Sequence, residues 1–277
     1  MTDRIDLPAG PVRLVDLSAP LSNETSAFEP NPHEIEYIDH ETAAKASGAY
    51  GIDPALWIGG QAWAVERATL STHAGTHVDA PWHYTATSAG EPAKTIDQLP
   101  LRWCFGPGVV LDMTHKGRGE GIDDADVQAA LERIEYELRP LDIVLVRTDT
   151  SRHFSEPGYD QMHPGLRRSA TEWLVDRGVR LIGIDAWGLD RPFDVMVPEA
   201  QAGDREQLWE SHFLGRDKEY CQIEKLANLD QLPPHGFLVS ALPVLLSGAG
   251  AAWSRVVALV PDAAPAPEPS ATRGARP

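Results

Sequence analysis

The sequence is poor in cysteine, in basic charge and in long apolar runs. Only two cysteines, Cys104 and Cys221, stand among its 277 residues. They are far apart and in no Cys-x-x-Cys pair, which excludes a disulfide framework and a thiolate zinc site. Lysine and arginine number 24 against 41 aspartates and glutamates, a formal charge of −17. A surface of that sign repels phosphate backbones and anionic membranes, so neither nucleic acid nor membrane is expected as a partner. A small anionic substrate stays compatible, because a bound metal reverses the sign locally. The most apolar stretch, Phe237 to Trp253, is broken by Pro243, Gly248 and Gly250. It falls short of the roughly 20 residues that a spanning helix needs and reads as buried strands. The opening MTDRIDLPAG is charged from residue 3 and has no apolar core. No signal peptide is expected there, and the expected compartment is the cytoplasm.

What is present is an ordinary globular composition, 42% hydrophobic and 23% charged, in a chain long enough to bury a sizeable core. Strand-like and helix-like segments alternate. Val12–Leu17 reads as a strand and Asp123–Leu138 as a helix, with aspartates in its first turn and Val127, Leu131, Ile134 and Leu138 on one face. Asp142–Arg147 reads as a buried strand, Leu166–Gly178 as a helix stopped by its glycine, and Val179–Ile184 as the strand that follows. Val239–Leu246 and Ser254–Val260 look like closing strands. This order with short links predicts an α/β fold with at least one parallel strand pair. No composition break divides residues 1–262, so they are read as one domain. The tail from Ala263 (APAPEPSATRGARP) is rich in proline and alanine and is expected to be disordered.

Three of the ten histidines fall in the segment HAGTHVDAPWH, residues 73–83, together with Asp79. Gly75, Thr76 and Pro81 disfavour a helix there. In an extended segment His77 and Asp79 share a face, and a turn at Ala74–Gly75 can bring His73 to the same point. Two neutral imidazoles and a carboxylate suit Zn²⁺, Mn²⁺ or Fe²⁺, and three protein ligands leave positions open for catalysis. His83, past Pro81, is close enough to act as an acid/base group or a further ligand. A second group is weaker in isolation. After Asp204, read as an N-cap, Leu208, Trp209, His212 and Phe213 fall on one helical face ending near Gly215. Tyr220–Glu224 then reads as a strand with Tyr220, Gln222 and Glu224 on one side. Alone, His212 on an apolar face is more often a hydrogen-bonded core histidine than a ligand, and Glu224 more often a surface charge.

With these residues in view, the sequence resembles the metal-dependent cyclase family, which includes bacterial kynurenine formamidases and isatin hydrolases. The resemblance covers nearly the whole chain before the tail. It begins at VDLSAPLS (15–22) and passes through HAGTHVDAPWH, the family hallmark. It continues in DIVLVRTD (142–149), HPGL (163–166), GIDAWGLDRP (183–192) and IEKLANLDQLPPHGF (223–237). It implies a single swivelling α/β domain, usually in a homodimer or higher oligomer. It also implies a divalent metal, Mn²⁺ or Zn²⁺, on His73, His77 and Asp79, with Asp79 able to bridge to a second metal on His212 and Glu224. Some members work with one metal.

Within the family, GIDAWGLDRPF and WESHFLGRDKEYCQIEKL look more like the isatin-hydrolase branch. In the formamidase branch the stretch matching 185–190 has a Thr-x-Ser-x-Asp character, which Ala186, Trp187 and Gly188 replace here. Either branch implies attack of metal-bound hydroxide on an amide carbonyl, with His83 taking the water proton and returning it to the leaving nitrogen. The substrate is then a cyclic amide such as isatin or, in the alternative, N-formylkynurenine. Trp82, Trp63 and Phe28 could stack on an aromatic substrate or belong to the core. From another class, a non-catalytic metal-binding protein would keep the ligands without turnover, but it has no need of an acid/base such as His83.

Overall fold

Short apolar segments with β-branched residues pair into one ten-stranded sheet, numbered here in chain order. Its strands are β1 (Asp3–Leu7), β2 (Gly10–Asp16), β3 (His77–Asp79), β4 (Phe105–Asp112) and β5 (Ile143–Arg147). They continue as β6 (Leu181–Ile184), β7 (Cys221–Glu224), β8 (His235–Ser240), β9 (Ala251–Trp253) and β10 (Val257–Pro261). The order across the sheet is β1-β2-β10-β8-β4-β5-β6-β7-β3-β9. The central four, β4 to β7, run parallel, and both flanks are antiparallel. This computed structural model describes residues 3–7, 10–28 and 32–262; the tail from Ala263 lies outside them.

Among the described residues six α-helices accompany the sheet: α1 (His40–Ala46), α2 (Pro81–Tyr84), α3 (Asp124–Arg133), α4 (Arg168–Asp176), α5 (Phe193–Gln201) and α6 (Glu210–Leu214). The sheet separates two apolar layers. One includes Val78, Leu145, Ile223 and Ala252; the other packs Val127, Leu131, Ala170 and Leu174 of α3 and α4 against Val144, Val146 and Ile182. Strands β5 and β6 are buried on both faces, as parallel strands under helices must be, which is why IVLV and LIGI show no polar alternation. None of the helices in the described residues is long and apolar enough to cross a membrane.

The parallel α/β expectation holds; several element boundaries differ from the sequence reading, three of them with a clear physical cause. Helix α3 stops at Arg133, not Leu138. Glu135 turns left-handed at φ 51, the amide of Tyr136 bonds the carbonyl of Leu131, and that of Glu135 bonds Glu132. This is a Schellman closure on a non-glycine residue; Ile134 and Leu138 still pack on the core, so the apolar period outlasts the helix. The strand expected over 239–246 ends at Ser240, because Pro243 has no amide to donate to a ladder. The helix expected after Asp204 is broken at Trp209, which sits at φ 58 between a 3-10 turn (Arg205–Gln207) and α6.

Candidate metal centre

Strand β3 carries the hallmark into the sheet between β7 and the edge strand β9. Gly75 takes φ +62 just before it, and a Cβ there would meet Leu21 Cγ at 2.8 Å, so both the turn and its packing call for glycine. The turn brings His73 back over the strand, leaving its Nδ1 2.9 Å from Asp79 Oδ1. His77 Nε2 stands 3.3 Å from the same oxygen and 3.6 Å from Glu224 Oε2. Glu224 arrives through strand pairing: on β7, Gln222 lies opposite Asp79 and Glu224 opposite His77, so alternate residues of both strands face one point.

Ligands each about 2.1 Å from one metal lie roughly 3.0–3.4 Å from each other. The pairs here, at 2.9, 3.3 and 3.6 Å, belong to two metal-sized groups that share Asp79: His73 with Asp79 and His83, and His77 with Asp79 and Glu224. His77 Nε2 and Asp79 Oδ1 are buried with no hydrogen-bond partner among the described residues, which a protein tolerates where something else fills the need. His77 Nδ1 donates to Gly75 O at 2.8 Å, which leaves a bare lone pair on Nε2, the arrangement that metal-binding imidazoles use.

Charge follows the same plan. Burial would raise Asp79, but the imidazoles of His77, His83 and His73 set around it carry it well below the usual carboxylate range. Glu224 is pushed up by burial and by the charge of Asp79. Burial pulls His77 down, and Asp79 and Glu224 outweigh it and raise it. His83, by contrast, is lowered to about 4, by burial and by the neighbouring imidazoles of His212, His73 and His77, with Asp79 opposing. It is carried on α2, a single turn started by Pro81, with its ring 4.1 Å from that of His73 and 5.6 Å from that of His212.

His212 reaches the same centre from α6. Its Nε2 is 3.7 Å from Glu224 Oε1, and its Nδ1 is held by a short contact to Asp190 Oδ2. Asp190 also accepts from the amides of Ser211 (2.6 Å) and His212 (3.2 Å), so it caps α6, the task the sequence reading gave to Asp204. The sequence reading missed Asp190, which lies 22 residues from His212 and shows no local signal. It also passed over the metal-side potential of Gln222, whose strand face it had identified.

Above the centre lies a cavity of about 220 Å³, lined among others by His73, His83, Trp187, Phe193, Trp209 and Lys225. Trp209 stacks on His212 at 4.1 Å and 13°, a pose that its left-handed backbone permits. Two of the aromatics expected at the substrate are placed elsewhere. Trp63 packs against Tyr50 and Trp57, away from the residues that line this cavity. Trp82 is 46% exposed and is not among the lining residues either. Phe28 ends the turn Asn23–Phe28; its side chain is outside what the structure describes.

Comparison with known proteins fits this geometry. Residues 15–191 match the model of a family described as "Putative cyclase". The kynurenine formamidase of Maricaulis maris (strain MCS10) is 33% identical over 193 residues, 70% of this chain and 79% of that protein. The kynurenine formamidase of Bacillus thuringiensis (strain Al Hakam) is 26% identical over 246 residues, 88% of this chain and 95% of that one. Isatin hydrolase A from Ralstonia solanacearum superposes with a TM-score of 0.70 at 26% identity, covering 90% of this chain and 92% of its own. An isatin hydrolase bound to the product analogue thioisatinate gives 0.71 at 23% identity, over 91% and 93%; that likeness speaks for the fold.

Proposed function

This chain belongs to the cyclase family, and we propose that it is a metal-dependent hydrolase opening a planar cyclic amide of the isatin type. The observation that carries the reading is the pair of buried, unpartnered atoms His77 Nε2 and Asp79 Oδ1 beside an aromatic-walled cavity. His73, His77 and Asp79 would hold the cation, Mn²⁺ or Zn²⁺, a donor set suited to either. When bound, it would supply Lewis-acid polarisation of the amide carbonyl and acidify water.

The remaining steps fall to side chains. His83 is neutral at pH 7, since its pKa is lowered to about 4, so it can take a proton from the attacking water. It then delivers that proton to the departing ring nitrogen as the C–N bond breaks. Cleavage within a ring leaves one product, an aryl amine that also carries the new carboxylate. Trp187, Phe193 and Trp209 present aromatic surface to a flat substrate. At about 220 Å³ the cavity is below the ~300–1,000 Å³ usual for drug-sized ligands, which favours a small, rigid compound. Homodimer assembly belongs to the same reading, on the strength of the family likeness.

Hydrolysis of N-formylkynurenine is the second reading, favoured by the names of the curated relatives. That substrate brings a charged amino-acid group needing its own anchor. The two cations lining the cavity are already engaged: Arg191 by Glu199 and Gln207, and Lys225 by the carbonyl of His73 at 2.9 Å. The deciding experiment is kcat/KM for both compounds at equal metal loading. Isatin is expected to win. A tenfold advantage for N-formylkynurenine, about 1.4 kcal/mol of transition-state preference, would put the second reading in its place.

A further inference from the structure

The centre contains two sets of metal-seeking lone pairs, and they differ in one respect. His77 Nε2 and Asp79 Oδ1 have no hydrogen-bond partner among the described residues. Asp79 Oδ2, Glu224 Oε1 and His212 Nε2 all have the same partner, the carboxamide nitrogen of Gln222. It lies 3.3 Å from each of the two carboxylate oxygens and in close contact with the imidazole. We infer that the amide of Gln222 takes the place of a second cation, so that the chain holds one divalent metal and not two.

The orientation of the amide follows from its surroundings. Two carboxylate oxygens can only accept, and His212 Nε2 is a bare acceptor because Nδ1 is turned to Asp190. Only the NH₂ end of a carboxamide can face three acceptors. Its oxygen points the other way, 3.2 Å from the hydroxyl of Tyr220. Burial and strand register set this placement. Gln222 is fully buried, and it stands on β7 in register with Asp79, two residues before Glu224 and on the same face. Glu224 Oε1 is further held by the amide of Leu189 at 3.0 Å. A neutral NH₂ group thus turns its two partly positive hydrogens toward the three atoms that a dication would otherwise bind. The two cannot share the space, because a cation would repel the donor and claim its acceptors.

The inference rests on the proposed reading of the first site, and metal counting separates the two. Chelator-stripped protein is saturated with Zn²⁺ alone, desalted and measured by elemental analysis, with circular dichroism as the folding control. The wild-type chain should keep one equivalent. Gln222→Ala should keep two, and Gln222→Ala with His212→Ala should return to one. If Gln222→Ala does not fold, Gln222→Asn, which withdraws the amide by one methylene, takes its place with the same expectation. Two equivalents in the wild type, or one in a folded Gln222 variant, would overturn the inference and leave the first site intact. No retained zinc in the wild type would overturn both.

Discussion

Asp190 offers the sharpest energetic test of how the centre is built. It is 3% exposed and its carboxylate accepts from the amides of Ser211 and His212 and from His212 Nδ1. Asp190→Ala leaves two helix-start amides without their cap and the buried Nδ1–H of His212 without its acceptor. A lost cap costs about 0.5–2 kcal/mol. Losing a hydrogen bond to a charged group costs about 1.5–3 kcal/mol. The two overlap, since one carboxylate serves both, so the expected loss is about 2–4 kcal/mol. Asp190→Asn keeps the shape and one acceptor but presents NH₂ to Nδ1, which drives the proton of His212 onto Nε2, against the amide of Gln222. Its expected loss is smaller, about 1–2 kcal/mol. Urea unfolding of metal-free protein, followed by far-ultraviolet circular dichroism, gives both values directly. An Asp190→Ala variant within 1 kcal/mol of the wild type would refute this account of α6 and of His212.

Further outcomes follow from single residues. Gly75→Ala, forced to φ +62 and against Leu21, should lose about 1–2 kcal/mol and weaken metal retention, seen by thermal unfolding and by metal titration; unchanged stability would mean that the turn relaxes freely. His83→Ala should keep its metal yet lose roughly 10²-fold or more in kcat, as removal of a general acid/base does; near-normal turnover would make His83 a structural residue. The pH dependence should come from His77. Its pKa is raised, by Asp79 and Glu224 against burial, whereas His83 is lowered to about 4. As pH falls, protons therefore displace metal from His77 before His83 is protonated. Added Zn²⁺ should then move the acid limb of activity to lower pH by about one unit per tenfold metal, for one competing proton. An acid limb indifferent to metal would assign it to another group.

The hallmark segment was legible because its chemistry is local. His73, His77 and Asp79 are linked by one turn and one short strand, so composition and side-chain alternation suffice to gather them. His212 and Glu224 could be linked to that point only by resemblance, since their approach depends on β7 pairing with β3 across 143 residues of chain between Asp79 and Gln222. Trp209 was out of reach for a different reason. A tryptophan at φ 58 breaks a run whose apolar period reads as continuous helix, and that break turns its ring into the cavity. Glu135 hides the end of α3 in the same way. The aromatics near the hallmark in sequence, Trp82 and Trp63, do not line the cavity above it, because proximity along the chain does not fix which side of a turn a ring occupies.

The central claim is that the hydrolytic activity depends on a metal held by the hallmark segment. Its most direct test follows ring opening of isatin, as loss of the isatin absorbance, by one preparation in three states: as purified, stripped by chelator, and reloaded with Mn²⁺ or Zn²⁺. The account predicts turnover in the first, at most a few per cent of it in the second, and recovery in the third, with no recovery in reloaded His77→Ala. Full turnover by the stripped protein, or full recovery in His77→Ala, would contradict it.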